Sequence, residues 1–393
     1  MSRPEAKQLP RSRGEQPTGG RVGSSGSLGK DVDATALVLN AVRDTDVLRG
    51  LDPATWERVL SCARRNAVLA YLAYRAESAG LLPALPEKAR LALASARMGG
   101  RRLAQLARWE LDQVARTLSA AGVPMIALKG VAYLLREMPH ASTRLMTDID
   151  VMVPHASIDT AESSLRAAGW RDTKLDAYDQ SYYRRWSHEV PPMRFPGRLL
   201  GVDVHHTIIA PVSRLRPDPN AFWSDALPTR MPGVRVLSPV DSVLHAAVHL
   251  FFDSDFDGRF RDVVDLHEMV GAFGEDAQFW PALVSRAAEL GLGRPLFYAV
   301  HMLDDILGTP LPPGMRDELA RFAPPAPARA WMMRTLREVL TPIDPQPWPP
   351  LHRGKLWLLY VRSHWLRMPP HVLIPHLLRK SLRRGGVPAA EAP

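Results

Sequence analysis

Cysteine is nearly absent: Cys62 is the one thiol in 393 residues. That excludes a disulfide-stapled scaffold and leaves no cysteine cluster for zinc or iron–sulfur. Cys62 itself lies in a helical run and reads as a small buried apolar residue. Long apolar runs are missing as well. No stretch approaches the roughly 18 consecutive apolar residues of a membrane span. The first residues lack the apolar segment of a secretory signal. The expected setting is therefore soluble and cytoplasmic. Large apolar side chains are scarce in residues 1–30, which are rich in Gly, Ser, Pro and Arg. Such a segment cannot bury enough surface to offset its chain entropy, so a disordered basic tail is expected there.

Net positive charge is missing from the body of the chain. Residues 1–30 hold six Lys/Arg against two Glu, and residues 351–393 hold eight against one. These two ends exceed the whole net charge of +9. A basic chain suggests a nucleic-acid partner, but a near-neutral body argues against a large nucleic-acid surface. What remains is ordinary globular composition, 46% hydrophobic and 23% charged. The length suggests two or three domains, or one large one.

The periodicity divides the chain. Residues 31–122 form an N-terminal helical segment, with Trp56, Val59, Leu60, Ala63 and Ala67 at helical steps. Gly80 and Gly122 sit where C-terminal caps belong, and Gly99-Gly100 is a place where the second long run could kink or split. Residues 123–210 read as a mixed α/β module. Its parts are a buried strand at 124–128, a short helix at 130–137, an alternating strand at 147–153 and a helix at 154–168 ended by Gly169. Two or three antiparallel strands complete it, the last being 200–206. Ser238-Pro-Val-Asp241 is a capped helix start and opens the helices of a C-terminal domain over 211–345. Residues 346–393 form a basic amphipathic tail. The expected class is α+β, a small mixed sheet flanked by helical segments on either side in sequence.

The chemistry concentrates in 124–206. Asp is depleted in strands, yet Asp148 and Asp150 alternate with Ile149 and Val151, so both carboxylates share one face. They lie about 7 Å apart along the strand, a spacing that suits one or two hard divalent cations. Asp203, in Val-Asp-Val-His, is again an Asp inside an apolar strand. Should the two strands pair, three carboxylates converge and need Mg²⁺ to neutralise them. Lys129-Gly130 falls at a strand-to-helix turn, where Gly admits a phosphate and Lys adds a point charge. Arg144 could clamp the same anion in a bidentate way, or serve as a structural ion pair. His245 and His249 share a helix face at a spacing that can hold zinc, though no third ligand is evident. Asp262 and Asp265 could pair with Arg259 or Arg261, or line a pocket.

The order Ile-Ala-Leu-Lys-Gly, Arg144, Asp148-Ile-Asp150 and Val-Asp203-Val-His resembles the uncharacterised nucleotidyltransferases of the DNA polymerase β-like superfamily. Ser238-Pro-x-Asp241, His245, His249 and Arg261-Asp-Val-Val-Asp265 extend the resemblance. It differs from the broader superfamily in carrying Lys-Gly where Gly-Ser or Gly-Gly is usual. The resemblance implies that Asp148, Asp150 and Asp203 are catalytic and hold Mg²⁺ or Mn²⁺. It implies that Lys129, Gly130 and Arg144 bind the NTP phosphates, with an acceptor pocket near His205, His245, His249 and Asp265. The reaction implied is transfer of a nucleoside monophosphate to an unidentified acceptor, a small molecule, peptide or protein. A non-catalytic nucleotide- or partner-binding scaffold is the alternative, and a phosphohydrolase a weaker one. The tail over 351–384 suits an anionic membrane surface, a nucleic acid, or packing on the helical domain.

Overall fold

The computed structural model describes residues 33–173, 187–252, 255–344, 351–369 and Leu373. The tail expected over 1–30 and the far end of the basic tail lie outside them. Among the described residues there are 14 α-helices and a seven-stranded mixed sheet, an α+β architecture.

The first two helices begin at side-chain caps. Asp33 accepts from the backbone N–H groups of Thr35 and Ala36 and starts α1 (Ala34–Arg43). Asp52 does the same for Ala54 and Thr55 at α2 (Pro53–Arg65), with Pro53 in the first turn. Helices α3 (Leu69–Ser78) and α4 (Glu87–Ala120) follow. Helix α4 runs unbroken through Gly99-Gly100. A Cβ on Gly100 would lie 2.6 Å from the carbonyl oxygen of Ser142, so that glycine serves the close approach of the 141–143 turn rather than a break. Cys62 is buried, and burial pushes its thiol up to about 12; it is inert packing.

Strand β1 (Met125–Ala127) leads into α5 (Lys129–Leu135), then β2 (Asp148–Met152) and α6 (Ile158–Ala167). Strands β3 (Arg171–Asp172), β4 (Met193–Arg194), β5 (Gly201–His205), β6 (Leu227–Pro228) and β7 (Val234–Val236) complete the sheet in the order β3-β4-β5-β2-β1-β7-β6. The β3–β4–β5 run is antiparallel, as the sequence suggests. Strand β5 also pairs with β2, and that pairing is parallel. Strands β1, β2 and β5 sit in the middle of the sheet, which explains their apolar runs.

After the short α7 (Pro219–Ser224), Ser238 opens α8 (Pro239–Phe252), its hydroxyl accepting from the N–H of Asp241 at 3.2 Å. Helices α9 (Phe260–Phe273), α10 (Phe279–Glu289) and α11 (Gly293–Met302) pack around α8. Asp241 is fully buried and is held by Arg286 at 3.0 Å. Helices α12 (Met315–Leu319), α13 (Ala326–Leu340) and α14 (His352–Arg367) follow. The first part of the basic tail is thus a helix docked on the fold. Leu359 is buried, and Arg362 donates to the Phe251 carbonyl at 3.1 Å. Its Trp357, Leu358 and Trp365 are left exposed. One continuous apolar core runs from Ala34 to Leu359.

Candidate active site

The β2–β5 register decides the geometry. Asp150 stands opposite Asp203, and Asp148 opposite Gly201. Side chains in register on neighbouring strands share a face, so the three aspartates converge. Lys129, at the β1–α5 turn, joins them: its Nζ lies 2.6 Å from Asp150 Oδ1. Its backbone adopts φ +47°, the left-handed region that costs an ordinary side chain roughly 1–2 kcal/mol. The turn is held by the Leu128 N–H, which donates to the Asp150 carbonyl at 2.9 Å. The strain thus places the ammonium on the carboxylate.

His205 completes the pairing on Asp150, with Nε2 3.0 Å from the same Oδ1. Burial alone would raise the Asp150 carboxyl, but Lys129 and His205 outweigh it and hold Asp150 well below the carboxylate range. Asp203 has no such partner among the described residues. Burial, then Asp150, Glu189 and Asp148, push it up to about 7. Asp148 is raised by burial and by Asp150. A self-repelling acidic group of this kind is the donor set that a hard divalent cation relieves.

Asp203 and Lys129 line a cleft of about 210 Å³ with His188, Glu189, His249 and Arg367. Asp150 does not line it; its carboxylate is taken up by Lys129 and His205. Beside the cleft lies a largely apolar pocket of about 350 Å³. Ile209 and Ala210 are shared by both, and His155, His206, Pro211 and Leu215 line the second one.

The remaining sequence-predicted residues fall in two places. His249 faces the cleft, and its Nδ1 lies 2.8 Å from an Arg259 guanidinium nitrogen. His245 is buried one turn away, and burial and Lys129 push it down to about 3. No zinc cluster forms around these two among the described residues. Arg144 and Asp265 sit in a separate buried network. Arg144 bonds Asp262 at 3.1 Å and also pairs with Asp265, which is 2% exposed. Arg261 bonds Asp265 at 2.9 Å and ties it to the Thr143 carbonyl at 3.1 Å. This network pins α9 to the turn before β2. Arg144 is therefore occupied by carboxylates, and Asp265 does not line the cleft. Gly130 is explained by packing: a Cβ there would lie 2.7 Å from Met146 Sδ and 3.3 Å from Arg144 Cδ.

Sequence reasoning missed Glu189 and His188. The Glu189 carboxylate lies 3.6 Å from His205 Nε2, and Glu189 pairs with His205 across an antiparallel bridge. The available signal was a His-Glu-Val triplet just before a proline pair, which is weak without its partner strand. No curated protein and no solved structure matches the chain. The model of the uncharacterised nucleotidyltransferases matches residues 52–308, and the chain belongs to that family.

Proposed function

We propose that the chain is an Mg²⁺-dependent (or Mn²⁺-dependent) enzyme that moves a nucleoside monophosphate from an NTP to an acceptor hydroxyl or similar group, releasing pyrophosphate. Family membership supplies the reaction class. The observation that carries the finer reading is the parallel register of Asp150 with Asp203, with Asp148 on the same face. These three would hold the cation, and its chemistry would be to neutralise the triphosphate charge.

The chain's own residues do the rest. Asp203, which lines the cleft, is placed to accept the acceptor's proton at its carboxylate. Lys129 would exchange its Asp150 contact for a phosphate oxygen of the donor. The apolar pocket beyond Ile209 and Ala210 would take the base or the acceptor, with His155 and His206 as its polar groups. A cytoplasmic location belongs to this reading, because NTPs are kept there. The alternative, a nucleotide- or partner-binding scaffold, is favoured by the Lys129–Asp150 pair, which already neutralises part of the site.

The test is a thermal-shift titration with each of the four NTPs, with and without Mg²⁺ or Mn²⁺, followed by transfer assays with α-labelled NTP. A ligand that binds the native state alone raises Tm. A metal-dependent shift that vanishes in Asp148→Asn/Asp150→Asn, together with label transfer, supports the enzyme. A metal-dependent shift without transfer supports the scaffold. Undiminished transfer by the double variant would overturn the assignment.

A further inference from the structure

His188 and Glu189, on the wall of the cleft, converge with the buried His205 next to the three aspartates, a group distinct from them in donor chemistry. One ligand atom from each lies within 4.8 Å of the other two. Glu189 Oε2 is 3.6 Å from His205 Nε2 and 3.9 Å from His188 Nε2. Donors around an ion with bonds of about 2.0–2.2 Å stand a little over 3 Å apart. Small side-chain movements are enough to close the set.

The backbone builds this convergence. The Val190 N–H donates to the Val204 carbonyl at 2.9 Å, and the His206 N–H donates to the His188 carbonyl at 3.0 Å. The segment carrying His188 and Glu189 is thereby laid along β5. The two imidazole rings stand with centroids 5.2 Å apart. His205 is 1% exposed, and its Nε2 is aimed at two carboxylates, Asp150 and Glu189. Its Nδ1 has no hydrogen-bond partner among the described residues, and neither has His188 Nδ1.

We propose that His188, Glu189 and His205 form a second cation site, one that selects a borderline first-row transition ion of the zinc or cobalt class over Mg²⁺. Two imidazoles and one carboxylate suit such ions, whereas Mg²⁺ prefers an all-oxygen set such as the three aspartates. Three protein ligands leave a coordination position free, the pattern of a catalytic rather than a closed structural site. That position faces the cleft, which His188 and Glu189 line. It would take water or a donor atom of the acceptor. His205 would hold the ion through Nε2, in place of its Asp150 contact, with its ring proton on Nδ1. The site does not depend on nucleotidyl transfer.

The test is a Co²⁺ titration of the full-length protein in excess Mg²⁺, read by visible d–d absorption and by metal retained after dialysis. Wild type is expected to take up one Co²⁺, displaced by Zn²⁺. His188→Ala and Glu189→Gln are each expected to weaken Co²⁺ binding by at least about ten-fold, the lower end of what even an outer partner contributes. Asp148→Asn is expected to keep it. His188→Gln stands in if the alanine variant loses its circular dichroism. No Co²⁺ uptake by wild type in excess Mg²⁺, or undiminished uptake in the His188 and Glu189 variants, overturns the proposal. Loss of Co²⁺ in Asp148→Asn with retention in the His188 variant also overturns it and assigns the ion to the aspartates. Because the transfer assay is read separately, failure here leaves the aspartate reading intact.

Discussion

Replacing Asp203 with Asn is expected to make the metal-free protein more stable at pH 8. Asp203 carries a carboxyl raised from 3.8 to about 7 by burial and by Asp150, Glu189 and Asp148. Ionising it in the folded state therefore costs more than in the unfolded chain. The difference is on the order of 4 kcal/mol above pH 7. Water at the cleft side screens part of this, so about 2–4 kcal/mol is expected. The sign follows from proton counts. Between about pH 4 and pH 7 the folded state holds a proton that the unfolded chain has released, so this group's contribution to stability falls as pH rises through that window. Above pH 7 the penalty is complete, and below pH 4 it is gone. Asn removes it at every pH while nearly keeping the shape. The gain of Asp203→Asn over wild type should be largest at pH 8 and shrink towards zero near pH 4. Taking the difference between the two proteins cancels the buried histidines common to both. The assay is urea unfolding in EDTA across pH 4–8. Adding Mg²⁺ should stabilise wild type and leave the variant behind. A variant less stable than wild type in EDTA at pH 8, or a difference that does not change with pH, would refute the carboxylate-repulsion argument.

Three further outcomes are expected. Gly130→Ala should lose about 1–3 kcal/mol of stability in urea unfolding, because its Cβ would press on Met146 Sδ at 2.7 Å; an unchanged midpoint would mean that Met146 moves aside freely. Asp265→Asn leaves Arg144 and Arg261 short of a buried partner and should cost about 3–5 kcal/mol by the same measurement; a loss below about 1 kcal/mol would show that the network tolerates a neutral amide. If the basic tail docks on an anionic surface through Trp357 and Trp365, the full chain should sediment with anionic vesicles, not with neutral ones, and Trp357→Ala/Trp365→Ala should weaken this. Absence of salt-sensitive sedimentation would return α14 to a packing role.

The parts of the site legible in sequence were those that break a local rule. An aspartate inside an apolar strand is out of place, so Asp148, Asp150 and Asp203 announced themselves. The β1–turn–α5 order was legible from an apolar run stopped by Lys129-Gly130. The parts that depend on distant pairing were not. Nothing local to β2 or β5 says that they run parallel and in register. Arg144 offers the clearest case. Its charge and position suit a phosphate, yet its partners Asp262 and Asp265 come from a helix more than a hundred residues later. Glu189 was invisible for the same reason, since its meaning comes from the bridge to His205. Gly100 and Gly130 show a third limit: a glycine signals that something comes close, but not what.

The Lys129 ammonium on Asp150 bears on the order in which the protein is assembled. A cluster of buried acids that had to wait for its ion would couple folding to metal supply, as small metal-nucleated domains do. Here a covalently attached cation, the Lys129 ammonium, already neutralises part of the cluster in the folded chain. If the aspartates hold the proposed ion, the scaffold is expected to form before the ion enters. Metal starvation should then silence the chain without unfolding it, and resupply should restore it without new synthesis.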